Sequence, residues 1–88
     1  MSYYCYILCC SDGTYYTGWT TDLTRRVEQH NKGHAARYTR SRRPVTLMYA
    51  EMQPDRVSAM KRERAIKSLS HREKLKMIEK EDCSSKPG

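Results

Sequence analysis

Tyr15-Tyr16-Thr17-Gly18-Trp19-Thr20-Thr21-Asp22-Leu23-Thr24-Arg25-Arg26-Val27-Glu28-Gln29-His30-Asn31 is the stretch whose reading decides the fold. Tyr15 and Tyr16 suit a half-buried strand. Gly18 permits a turn that a side chain would obstruct. Thr20 or Thr21 can cap the helix that follows, and Asp22 sits where the helix dipole favours negative charge. Leu23, Val27 and His30 then recur at helical spacing over about 22–31. Arg26 lies on the edge of that stripe and Arg25 points away from it. The pattern aims a tyrosine strand end, an arginine and a histidine at one place.

Outward from this stretch, both flanks extend the pattern. Residues 2–10 alternate as a strand, with Tyr4, Tyr6, Leu8 and Cys10 on one side and Tyr3, Cys5, Ile7 and Cys9 on the other. Both sides are largely apolar, which predicts a central strand covered on both faces. Ser11-Asp12-Gly13 predicts a hairpin turn, and 14–18 the returning strand. Gly33 predicts a left-handed helix end. Residues 34–43 are a basic loop that starts as a short helical turn. With Arg25 and Lys32, its Arg37, Tyr38, Arg40, Arg42 and Arg43 make a candidate phosphate-contacting strip.

Pro44 opens a third strand in which Val45, Leu47 and Tyr49 alternate against Thr46 and Met48. Ser58 opens a helix over about 58–69, with Ala59, Arg62, Ile66 and Leu69 on one face and Glu63 inside that face. Ser70-x-x-Glu73 matches the capping box of a further helix, whose apolar side is supplied by Leu75, Ile78 and Met77. The reading is a single α+β domain over 1–80: a small three-stranded antiparallel sheet flanked by helices, in the order β-β-α-(basic loop)-β-α-α. Residues 81–88 read as a polar, frayed tail.

Composition narrows the function. Seventeen Lys and Arg against ten Asp and Glu give 88 residues a net charge of +7. A field of that sign favours polyanions, nucleic acid first. A mean hydropathy of −0.93 leaves no run for a membrane span. Met1 leads directly into strand alternation, so no signal peptide is expected. The four Cys (5, 9, 10 and 83) contain no C-x-x-C pair. They read as small strand side chains in a reducing cytoplasm, without zinc or a disulfide framework.

The order of these residues resembles the GIY-YIG nuclease superfamily, and most closely its small stand-alone members. The opening triplet matches Tyr4-Cys5-Tyr6, and the second matches Tyr16-Thr17-Gly18. The helix arginine matches Arg26, a frequent polar helix position matches His30, and the glutamate matches Glu63 in Ala-Met-Lys-Arg-Glu-Arg-Ala-Ile-Lys. Tyr4 stands where the family has glycine, and Cys5 and Thr17 where it has isoleucine. The resemblance covers about residues 3–69.

It implies a metal-dependent endonuclease acting on DNA, with branched, nicked or damaged DNA as candidate substrates. Glu63 would hold one Mg²⁺ or Mn²⁺ ion, Arg26 would brace the phosphate, and Tyr6, with Tyr16 close behind, would be the general base. Nearby cations would favour phenolate. His30 would orient Tyr16 or contact phosphate. The partner implied is nucleic acid, DNA ahead of RNA, with no membrane and no small-molecule cofactor. The alternative is a non-catalytic nucleic-acid-binding module on the same fold.

Overall fold

The computed structural model describes residues 2–85. Along the chain run β1 (Tyr3–Cys9), β2 (Tyr15–Thr20), α1 (Leu23–Asn31), the single turn α2 (Arg37–Arg40), β3 (Thr46–Gln53), α3 (Arg56–Lys67) and α4 (His71–Ser85). The strands form one antiparallel sheet in the order β2-β1-β3, the α+β arrangement expected. The stretch expected as a tail over 81–88 begins inside α4, and residues 86–88 lie outside the described residues. No helix among the described residues is long and apolar enough to cross a membrane.

The two apolar sides of β1 carry two different layers. Cys5 and Ile7 pack with Ala59, Ile66 and Ile78, so α3 and α4 cover that face. Tyr6, Leu8 and Cys10 pack with Val45, and Tyr16, Leu23 and Val27 close over them from β2 and α1. Met77 supplies the apolar side of α4 beside Ile78, whereas Leu75 is 37% exposed, against expectation.

Several boundaries differ from the sequence reading, each for a local reason. Strand β2 continues past Gly18, because β1 still offers partners: Trp19 pairs with Cys5 and Thr20 with Tyr4. Asp22 itself caps α1, its carboxylate accepting from Arg25 N at 3.1 Å. The Thr20 hydroxyl accepts from Asp22 N instead. Helix α3 starts before Ser58, since Asp55 accepts from Ser58 N at 2.7 Å and caps the helix at Arg56. The box at α4 forms as expected: Glu73 accepts from Ser70 N, and the Ser70 hydroxyl accepts from Glu73 N.

The third strand carries a bulge. Ile7 pairs with Tyr49 and Leu8 with Leu47, leaving Met48 unopposed. The extra residue puts Leu47 and Tyr49 on opposite faces, so Val45, Leu47 and Tyr49 do not share one side. Tyr49 joins the α3/α4 layer and Val45 the α1 layer.

Candidate active site

Helix α3 lies on the opposite face of the sheet from α1, so Glu63 must come round an edge to meet Tyr6 and Arg26. Strand β2 is that edge. A cavity of about 370 Å³ straddles it. Tyr6, Tyr16, Gly18 and Thr20 line it from one face and Trp19 from the other. Arg26 and His30 enter from α1, Thr21 and Ala35 from the loops, and Glu63 from α3. The structure thus brings together all five residues expected as catalytic.

Gly18 makes this convergence possible, for a reason other than the turn expected. It sits inside β2 opposite Tyr6, without positive φ. A Cβ there would lie 2.5 Å from the Tyr6 hydroxyl oxygen and 2.7 Å from Cζ. The absent side chain is the space in which the Tyr6 ring crosses the strand. That crossing carries the phenol to the far edge.

There the Tyr6 hydroxyl meets His30 Nε2 at 2.9 Å. The other ring nitrogen, Nδ1, lies 2.8 Å from Thr39 Oγ1, and Thr39 Oγ1 is 3.2 Å from Ala36 O. His30 and Thr39 are both fully buried. Both His30 ring nitrogens are thus engaged, and the Tyr16 ring stands edge-on to the imidazole at 5.1 Å between centroids. The phenol bonded to His30 is that of Tyr6 rather than Tyr16. Sequence reasoning missed Thr39 entirely; the only available signal was one β-branched residue in a run of arginines.

The electrostatics invert one expectation. Burial pushes the Tyr6 phenol well above the usual tyrosine range, and Tyr16 adds to this; the Arg26 guanidinium opposes both but does not win. Burial, then the Glu63 carboxylate, raises Tyr16 as well. Both phenols are thus held protonated, and phenolate is disfavoured. Burial, aided by Arg26, drives His30 down to about 4, so its imidazole is neutral at neutral pH.

Glu63 keeps the ordinary helical partner, Lys67, at 3.7 Å, with its own side chain 22% exposed. Among the described residues no three His, Cys, Asp or Glu side chains gather to hold an ion. The cavity wall offers the single carboxylate of Glu63. One carboxylate in a polar cleft fits Mg²⁺ or Mn²⁺, which take one or two protein oxygens and fill the remaining positions with water and substrate. The neighbouring Arg62 faces the other way. It bonds Glu51, which also accepts from the Tyr49 hydroxyl at 2.7 Å, and so ties α3 to β3.

The basic segment divides. Arg42 pairs with Asp12 at 3.0 Å, donates to Tyr38 O at 2.8 Å and lies 4.0 Å over the Tyr38 ring. Arg43 donates to the carbonyls of Arg40 and Asn31. Both guanidiniums fasten the loop to the hairpin and to the end of α1. Tyr38 is held between Arg42 and the ring of Tyr16, 6.0 Å away. Arg37, Arg40, Arg25 and Lys32 are exposed, and Arg25 borders a second depression that shares Thr20, Thr21 and Arg26 with the cavity.

The GIY-YIG catalytic domain model matches residues 2–76. A UPF0213 protein of Staphylococcus haemolyticus is 49% identical over 77 residues, 88% of this chain and 94% of that one. A UPF0213 protein of Staphylococcus aureus strain Mu50 is 48% identical over the same shares. The solution NMR structure of a UPF0213 protein from Bacillus halodurans is 43% identical with a TM-score of 0.57, covering 90% of this chain and 84% of that one. That of a protein from E. faecalis is 37% identical with a TM-score of 0.65, covering 100% and 94%. With the family's tyrosines, glycine, arginine and glutamate meeting at one sheet edge, the chain belongs to the GIY-YIG catalytic domain family.

Proposed function

We propose that the protein is a metal-dependent endonuclease that hydrolyses phosphodiesters in DNA, with structured or damaged DNA as its substrate class. The observation that carries this reading is the single cavity shared by Tyr6 of β1, Arg26 and His30 of α1 and Glu63 of α3. Membership of a nuclease family and a net charge of +7 support a nucleic-acid substrate.

Each side chain has a task its chemistry suits. Arg26 donates in a planar fork to the non-bridging oxygens as charge builds on phosphorus. Tyr6 takes the proton of the attacking water at its phenol oxygen while its own proton leaves for His30 Nε2, 2.9 Å away. A protonated phenol suits this exchange, since phenolate need never form. Glu63 would hold one Mg²⁺ or Mn²⁺, which when bound neutralises the phosphoryl oxygen and stabilises the leaving oxygen. The exposed Arg37, Arg40, Arg25 and Lys32 would engage flanking phosphates, and Tyr38, Arg42 and Arg43 would hold the loop in place.

The test is cleavage of plasmid, nicked and branched DNA, and of RNA, with Mg²⁺ or Mn²⁺. Wild type is expected to cut DNA; Glu63→Gln and Tyr6→Phe are expected to bind it without cutting. Equal cleavage by wild type and both variants would refute the site. The raised phenols favour one other reading, a binding module without turnover. That reading gains if wild type binds in a salt-dependent manner and cuts nothing with either metal.

A further inference from the structure

We infer that Thr39 is a positioning residue: its hydroxyl fixes the tautomer of His30, leaving Nε2 as the bare acceptor that faces Tyr6. This rests on the nuclease reading for its purpose, though not for its geometry.

One buried line of groups shares a fixed number of protons. Ala36 O is a carbonyl and can only accept. Thr39 has one hydroxyl proton, and at 3.2 Å it is donated to that carbonyl in the back-bond common for threonine in a helical turn. The Thr39 oxygen is then left with lone pairs, so the contact at 2.8 Å requires a proton on His30 Nδ1. A neutral imidazole carries one ring proton. Burial and the Arg26 charge keep His30 neutral. Nε2 is therefore unprotonated, and the contact at 2.9 Å is a donation from the Tyr6 hydroxyl. Every donor in the line points the same way, from the cleft to the loop. His30 and Thr39 are 0% exposed, so no bulk water competes for these positions.

The opposite tautomer would place a proton on Nε2 and turn Tyr6 into an acceptor. Tyr6 could then pass no proton to the ring. Thr39 thus decides whether the phenol–imidazole pair can receive a proton from water. It is also part of the basic segment, which is how the loop expected only to contact phosphate reaches the reaction.

The experiment uses the full chain, labelled with ¹⁵N, and long-range ¹H–¹⁵N correlation of the His30 ring at neutral pH. Wild type and Thr39→Ser are expected to show a protonated Nδ1 and a bare Nε2. In Thr39→Val, which has nearly the same shape without the hydroxyl, that preference is expected to be lost. Removing the outer partner that orients a metal-bound histidine costs about 10–100-fold in activity or metal affinity, and the same kind of positioning is at stake here. Cleavage is expected to fall on that scale in Thr39→Val and to be kept in Thr39→Ser.

A wild-type ring protonated at Nε2, or a tautomer unchanged in a folded Thr39→Val, overturns the proposal. Should Thr39→Val not fold, the wild-type and Thr39→Ser spectra decide alone. A wild type with the expected tautomer but no cleavage would refute the nuclease reading and leave the positioning role standing.

Discussion

The two faces of one sheet are built from the same strands and do opposite work. The face under α3 and α4 is an apolar layer of Cys5, Ile7, Ala59, Ile66 and Ile78. The face under α1 buries Tyr6 against His30 and Thr39, joined by hydrogen bonds of 2.9 and 2.8 Å. The first arrangement gains chiefly from apolar burial. The second puts polar atoms where each needs a partner, which is costly unless every bond is made. In a domain of 88 residues, one face is given to an apolar layer and the other to the buried polar line beside the cleft, which Glu63 reaches from the first face round the β2 edge.

The sharpest way to break this contrast is to cut each face once. Ile66→Ala should cost about 2–5 kcal/mol by leaving a cavity in the apolar layer, a large share of the stability of so small a domain. Urea denaturation measures it. Tyr6→Phe on the other face leaves His30 Nε2 without a partner and should cost about 1–3 kcal/mol of stability, yet slow cleavage by about 10²–10⁴-fold as a lost proton acceptor. If Tyr6→Phe proved as destabilising as Ile66→Ala, the division of labour would be wrong.

Gly18→Ala sits between the two effects. Its Cβ would meet the Tyr6 ring at under 3 Å, as the Cβ to Cζ distance of 2.7 Å requires. Overpacking of this kind costs about 1–3 kcal/mol, and the displaced phenol should lose its bond to His30. Cleavage should fall further than the stability loss accounts for, measured on the fraction that remains folded.

Acid should separate the faces again. The folded His30 titrates near 4, against an ordinary value of 6.5. Between these values the unfolded chain takes up a proton that the folded chain refuses. The group's contribution to stability is therefore complete above about pH 6.5 and is lost as pH falls towards 4. Melting temperature should fall across that window, and His30→Gln should flatten the fall.

The smallest expected effect lies on the apolar face. Among the described residues, Thr17 Oγ1 is the one buried side-chain polar atom without a hydrogen-bond partner. Thr17 stands opposite Ile7, on the side of the sheet that packs against α3 and α4. Thr17→Val removes the hydroxyl at constant shape and should stabilise by about 1 kcal/mol. Thermal melting would show a rise of about 4–8 °C.

Much of the fold is legible in the sequence because its signals are local. Two apolar sides mark β1 as central, Asp12-Gly13 marks the hairpin, and Gly33, at φ +80°, ends α1 as expected. Periodicity aims a β2 tyrosine, Arg26 and His30 at one place, but Tyr6 and Glu63 join them only through resemblance, since nothing in a pattern of 88 letters says that α3 turns Glu63 towards the β2 edge. What stays hidden depends on contacts distant in the chain. The bulge at Met48 follows from pairing with β1. The choice of Asp22 over Thr20 as cap follows from Thr20 belonging to β2. The protonated phenols follow from burial, which outweighs the arginine that the sequence places nearby. Thr39 is invisible because its partner, His30, lies nine residues away on another helix.

The proposal stands or falls with an ion-binding cleft that Glu63 shares with the tyrosine–arginine wall at the β2 edge. Titrating ¹⁵N-labelled protein with Mn²⁺ and following paramagnetic broadening tests it most directly. Amides of Gly18, Thr20, Arg26 and Glu63 are expected to broaden first, before those of Thr46–Gln53 on the far edge, and Glu63→Gln to abolish the effect. Broadening centred elsewhere, or unchanged in Glu63→Gln, would contradict it.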